Sequence, residues 1–273
     1  MTPLDYYGNI LHNINKGTKL MKKLLLMLLI LPTLAFATKT LNLSSKNTIN
    51  FNQSFNATFV AKKQIEAISK CAINPKSEIY IVAYTPGGSI AAGQLFFDTL
   101  KALDCTFHTI TIFSASMGYQ MTQNLGKRYI LPSGTLMSHR ASVSGLAGEL
   151  GGELDAIIKN LTDSVTEMED VAAKRVGISL EKYREEIRDE LWLTAEEAVK
   201  RNHADEIVLV TCDESLLGSS IETYNTFFGP LDVEFSDCPI IVAPLSVKAS
   251  NYENVIKFEK YFNNITKRVK ASL

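Results

Sequence analysis

Apolar and polar positions switch between two periods along the chain, and the switches mark out alternating helices and strands. From Phe55 to Ala72 apolar residues recur at helical spacing, whereas Glu78 to Tyr84 (EIYIVAY) is a short β-branched and aromatic run that predicts a strand. Thr85-Pro86-Gly87-Gly88 follows, a turn too tight for ordinary side chains. Ser89 stands as N-cap before a helix over Ile90 to Leu103. Thr106 to Phe113 predicts the next strand and Met117 to Leu125 the next helix. Arg128 to Leu131 and Thr135 to Ser138 read as short strands around a turn at Pro132-Ser133-Gly134. Such alternation with short connections predicts a parallel sheet covered by helices, with right-handed crossovers.

The second half begins with a long helix, Glu149 to Arg175, in which Leu150, Leu154, Ile157, Leu161, Val165, Met168 and Val171 recur at three- and four-residue steps. Gly177 stops it. Ser179 opens a further helix as a lone cap, since Lys182 occupies the place where a capping box needs Glu or Gln. Thr194 with Glu197 does satisfy that box, and Asn202 suits a left-handed helix end. Asp205 to Val210 returns to strand. Past Cys212 the pattern loosens and ends in an amphipathic stretch, Tyr252 to Val269.

The leading segment stands apart. Met21-Lys22-Lys23, the apolar run Leu24 to Leu31, Pro32 and Ala35-Phe36-Ala37 follow the order of a secretory signal, which assigns residues 1–37 to it, with Met21 as an alternative start. The run is shorter than the ~20 residues of a spanning helix. An uncleaved anchor holding the protein to a membrane through residues 24–37 is the competing reading. Either way the remainder is expected in an exported, oxidising setting, periplasmic or extracellular. All four cysteines lie beyond the cut. Cys71 and Cys105 each end a helix and precede a strand, at one sheet edge, and Cys212 and Cys238 flank a tail segment. The expected pairs are therefore Cys71 with Cys105 and Cys212 with Cys238, free buried thiols being the alternative for the first pair. No CxxC spacing suggests a metal site.

Composition narrows the picture further. The chain has 273 residues, 46% of them hydrophobic, and 28 basic against 29 acidic side chains, so it is a folded globular protein without the charge footprint of a nucleic-acid binder.

Three elements carry candidate chemistry. Ser116, in Ser114-Ala115-Ser116-Met117-Gly118, falls between a strand and a helix, where a hydroxyl is exposed and helix N–H groups face developing negative charge. By itself a serine there is usually a cap. The Gly87-Gly88 turn also lies at a strand's carboxyl end, the rim where open α/β sheets bind ligands; a glycine N–H there, with that of Met117, could form an oxyanion hole. As an isolated turn it merely reverses the chain. Of the four histidines, only His139 ends a strand near that rim, where an imidazole with an ordinary pKa of about 6.5 suits a general base. His108 alternates with apolar neighbours and His203 sits in a helix-ending turn.

Taken together, TPGGSIAAG, SASMGYQ, RYILPSGTLMSHR and ELWLTAEEAVKRNHADEI resemble, in order and spacing, the signature blocks of Clp-type serine peptidases (ClpP), over roughly residues 55–210. The resemblance implies a ClpP/crotonase-like spiral of β-β-α units with a protruding long helix. It implies Ser116 as nucleophile, His139 as base and the N–H groups of Gly88 and Met117 as oxyanion donors. The family's aspartate slot, two residues before the aromatic of Trp192-Leu193-Thr194-Ala195, holds Glu190; Asp189 beside it is the alternative acid. A solvated acidic face is the bland reading of both.

Departures qualify the resemblance. Arg140-Ala141 stands where the family usually has Gln-Pro, Asn202 where glycine is common, and the leader removes the setting in which an ATP-driven unfoldase could assist. The expectation is an exported serine endopeptidase acting through an acyl-enzyme on unfolded protein or short peptides. It is expected to form a homo-oligomeric ring without metal, cofactor or nucleic acid, and its domain is set at 38–210 with an extension over 211–273. A catalytically inactive scaffold or binding protein is one alternative and a crotonase-like acyl-CoA enzyme another. The lysine base of the related signal-peptide peptidases has no matching block here.

Overall fold

The computed structural model describes residues 39–143, 148–149, 151–227, 229–249 and, beyond them, 256–257, 260–261 and 264. The signal segment lies outside the described residues, as does most of the amphipathic stretch from Tyr252 to Val269. Among the described residues no helix is long and apolar enough to cross a membrane.

The elements run in the order β1 (Thr40–Leu43), β2 (Thr48–Phe51), α1 (Ala57–Ile73), β3 (Glu78–Thr85), α2 (Ile90–Ala102), β4 (Thr106–Ala115), α3 (Met117–Asn124) and β5 (Arg128–Ser138). They continue with α4 (Glu153–Val176), α5 (Leu180–Glu186), β6 (Leu191–Thr194), α6 (Ala195–Lys200), β7 (Glu206–Ile207) and β8 (Leu209–Cys212). Three further strands follow, β9 (Ser219–Thr226), β10 (Gly229–Ser236) and β11 (Ser246–Ala249). A six-stranded sheet has the order β2-β3-β4-β5-β6, with β7 beside β5. The β2, β3, β4 and β5 pairings are parallel, and β6 returns antiparallel on β5. β1 pairs in parallel with β8 to form a second, two-stranded sheet.

Local chemistry starts and stops the elements as the sequence demands. The Asn56 side chain caps α1 by accepting from the Phe59 N–H, Ser89 caps α2 from Ala92, and Ser179 caps α5 alone. Thr194 and Glu197 form the complete capping box of α6. Asn202 takes φ +60°, its left-handed place past that helix. Three features differ from expectation: α4 begins at Glu153 rather than Glu149, the expected strand Asp205 to Val210 is divided between β7 and β8 in different sheets, and a turn proves to be a bulge. Pro132-Ser133-Gly134 does not split two strands but lies within a continuous β5, where the register against β4 slips from Thr111–Ile130 to Phe113–Thr135. The residues between bulge out of the ladder, so turn-forming types here bend a strand rather than end it.

The core forms on both faces. On one, Phe51, Phe55, Phe59, Phe96 and Phe97 cluster between the sheet and α1–α2, with Phe51 and Phe55 ring centroids 4.5 Å apart. On the other, Tyr119, Ile130, Leu136, Tyr183 and Leu193 lie under α4 and α5. Truncating the fully buried Phe51 to Ala would cost about 3–5 kcal/mol. Both expected cysteine pairs are joined: Cys71–Cys105 ties the last turn of α1 to the start of β4, and Cys212–Cys238 ties β8 to the chain after β10. The loosely patterned tail builds a three-stranded antiparallel sheet, β11-β10-β9.

Candidate active site

β4 and β5 end side by side, with Ala115 paired to Met137, and this register sets the site. Between β4 and α3 the chain turns at Ser116 with φ +56° and ψ −117°, a left-handed conformation that costs a non-glycine residue on the order of 1–3 kcal/mol. The strain is held by neighbours. The Ser116 N–H donates to the Met137 carbonyl at 2.9 Å, and the Ser116 carbonyl accepts the Gln120 N–H at 3.2 Å. Although Ser116 occupies the N-cap position of α3, its side chain makes no capping bond. Its Oγ instead lies 2.8 Å from Nε2 of His139, one residue past the end of β5. The cap reading of Ser116 is thereby set aside.

The Pro-Gly-Gly turn packs onto the same point. A Cβ at Gly87 would fall 2.6 Å from the Ala115 carbonyl oxygen and 2.8 Å from the Met117 nitrogen, so only glycine permits this approach. Gly88, at φ +141°, bridges to Phe55. Among the described residues neither the Gly88 nor the Met117 N–H has an acceptor. A recess of about 90 Å³ gathers Gly88, Ser116, Met117 and His139 in its wall. Hydroxyl, imidazole and the two residues whose N–H groups lack acceptors therefore line one recess.

The acid is placed differently. In the antiparallel pairing of β5 with β6, Met137 faces Trp192 and Ser138 faces Leu191, where the ladder ends; His139 and Glu190 each lie one residue beyond it, Glu190 with its backbone at a left-handed φ of +67°. The Glu190 carboxylate, however, accepts from Trp192 Nε1 at 3.0 Å, and Asp189 pairs with Arg188 at 3.1 Å. Both acids are exposed, and neither bonds to His139. Glu190 is thus the acid nearer the end of that ladder, with its carboxylate held by Trp192.

Behind the site lies a polar cluster that sequence reasoning missed. Ser138 Oγ meets the Tyr183 hydroxyl at 2.8 Å, Gln120 Nε2 donates to the same hydroxyl at 3.3 Å, and Tyr119 meets His203 Nδ1 at 2.7 Å. Burial pushes the Tyr183 phenol up to about 12 and His203 down to about 4. This cluster anchors Ser138, the residue before His139. Glu169 was also missed, although it sits in the buried stripe of α4 with Ala173 and Val176, a charge at apolar spacing.

A hydroxyl bonded to an imidazole beside two unbonded N–H groups is equipment for acyl transfer, the chemistry of serine hydrolases. The Clp protease family profile matches residues 36–210. The ATP-dependent Clp protease proteolytic subunit 2 of Tropheryma whipplei is 32% identical over 141 residues, covering 50% of this chain and 76% of that protein. The protein of the same description from Nocardia farcinica is 29% identical over 140 residues, covering 50% and 68%. The chain belongs to the Clp protease family.

Proposed function

We propose that this chain is a serine endopeptidase that cleaves through an acyl-enzyme on Ser116. His139 Nε2 takes the proton as Oγ attacks a peptide carbonyl carbon, and the Gly88 and Met117 N–H groups receive the resulting oxyanion. The imidazolium then gives its proton to the leaving amine, and water, activated by the same nitrogen, releases the acyl group. Glu190 orients the imidazole once its carboxylate swings from Trp192 to Nδ1. The 2.8 Å contact between Ser116 and His139, in a strained turn that forgoes capping, is the observation that carries this reading.

The two disulfides support a working life in an oxidising, exported setting, where ATP-driven unfolding is not on hand. Short peptides and already unfolded chains are then the substrates, and assembly into a homo-oligomeric ring follows the family resemblance. A fluorophosphonate probe tests the reading. Wild-type protein should be labelled at Ser116 and the Ser116→Ala variant should not; unlabelled, folded wild type would refute the nucleophile. The inactive-scaffold alternative draws on one observation, the carboxylate of Glu190 held by Trp192 rather than His139.

A further inference from the structure

The recess beside Ser116 has two chemically different parts. Ile90, Val165 and Met168 supply apolar wall, and Gln120 and Glu169 line the same space. Gln120 is only 7% exposed, and with its Nε2 committed to Tyr183, its Oε1 is buried with no donor. Glu169 is 4% exposed. Its Oε2 accepts from Arg184 Nε at 2.6 Å, and Arg184 spends Nη2 on Thr166 Oγ1 at 2.9 Å. Arg184 itself lines a neighbouring recess, with Arg140, rather than this one.

Gln120 Oε1, buried without a donor, and the Glu169 carboxylate therefore share a recess with an apolar approach, next to the hydroxyl that would attack. An aliphatic side chain entering here would leave the buried Gln120 Oε1 unpaired, and a carboxylate would be repelled by Glu169. A long aliphatic stem ending in N–H groups would satisfy both. Resting on the peptidase reading of this site, we infer that the recess selects the substrate residue on the acyl side of the scissile bond for an N–H donor at the tip of its side chain. Glutamine and lysine have that chemistry. Gln120 and Glu169 are thus specificity-determining residues, joined to the nucleophile through α3 and to the recess wall through α4.

The test uses the full chain and peptides that differ only at that residue, carrying glutamine, lysine, norleucine or glutamate, with Ser116 counted independently by fluorophosphonate labelling. Glutamine or lysine peptides should exceed norleucine at least about tenfold in kcat/KM, the discrimination expected when a site built for a hydrogen bond meets an analogue lacking it. Gln120→Met should shrink that ratio without touching the Glu169–Arg184 pair. Glu169→Gln, checked for folding by circular dichroism, should lower the lysine rate more than the glutamine rate. A larger effect on lysine marks ionic recognition, and equal effects mark neutral hydrogen bonding; both support donor selection. Norleucine or glutamate cleaved as fast as glutamine and lysine by labelled enzyme would overturn the inference while leaving the peptidase reading intact. Absence of both labelling and cleavage would remove the peptidase reading and this inference with it.

Discussion

The two walls of the cleft are built to different standards. On the wall of the proposed nucleophile, Ser116 is fixed by the Met137 carbonyl and by the close approach of Gly87, and Ala115 and Met117 on either side are each only 2% exposed. On the acid wall, Asp189 and Glu190 lie in an exposed turn before β6, and Trp192 is 52% exposed. Backbone register places the hydroxyl and imidazole together. A surface rotamer decides where the carboxylate goes, and that choice is worth one solvent-competed hydrogen bond, about 0.5–1.5 kcal/mol. Preorganisation therefore ends where burial ends.

The sharpest break of this comparison comes from the buried wall. Ser116→Ala or His139→Ala should each lower peptide kcat by about 10⁴-fold or more with the circular dichroism spectrum unchanged, since each removes a member that chemistry cannot replace. Turnover of either variant within tenfold of wild type would show that the contact is not the catalytic one. The acid wall should answer more weakly. Glu190→Gln is expected to cost about 10²- to 10⁴-fold in kcat, whereas Asp189→Asn, which removes only half of an exposed pair with Arg188, should stay within about twofold. If the two effects are reversed, the assignment of the acid is wrong.

The same division explains what could be read in the sequence. The turn at Ser116 and the Gly87-Gly88 approach were legible because tight backbone contact admits few residue types, and both are short-range. Glu190 was legible only as a position just before β6, which says nothing of its left-handed backbone or its rotamer. Pro132-Ser133-Gly134 misled because the same residues serve a turn and a bulge. β9 escaped because all eight of its residues are exposed, so no buried face imprints a period of two. Glu169 escaped because a charge in a helical stripe reads as solvent-facing until the neighbouring Arg184 is seen to meet it.

Away from the cleft, the disulfides separate stability from chemistry. They close loops of 34 and 26 residues, and reducing either should cost about 3–4 kcal/mol by loop entropy. Neither touches the register of β4 on β5. Denaturant midpoints should therefore fall on reduction while kcat of the protein that remains folded is unchanged; a parallel fall in kcat would tie the cleft to the bridges.

The support behind the nucleophile wall should register as a pH effect on stability. His203 is 1% exposed, and burial holds its pKa at about 4, below the unfolded value of 6.5. The unfolded chain therefore binds a proton that the folded one refuses, and stability present above pH 6.5 is lost as pH falls toward 4. By pH 5 the loss should reach about 2 kcal/mol. His108, also lowered by burial, acts with the same sign, and the stability that Asp205 contributes above its unfolded value of 3.8 is lost only as pH falls through that value and below it. Guanidinium titrations at pH 7 and pH 5 should show this difference in wild type and a much smaller one in His203→Gln. An equal difference in the variant would assign the acid sensitivity elsewhere.

The smallest effect bears most directly on why the walls differ. Trp192→Phe removes the indole N–H that holds Glu190 but keeps an aromatic ring near Phe113, whose centroid lies 6.4 Å from that of Trp192. If the imidazole works only while Glu190 is turned toward it, the tryptophan lowers the fraction of competent enzyme, and its loss should raise that fraction. One exposed hydrogen bond sets the scale, so the gain in kcat should be about two- to tenfold, with KM little changed. The gain must vanish in the Glu190→Gln background, because Trp192 acts on the chemistry only through that carboxylate. A Trp192→Phe enzyme that is slower than wild type, or that gains equally without Glu190, would mean that the indole shapes the cleft directly and that the exposed wall is more ordered than its burial implies.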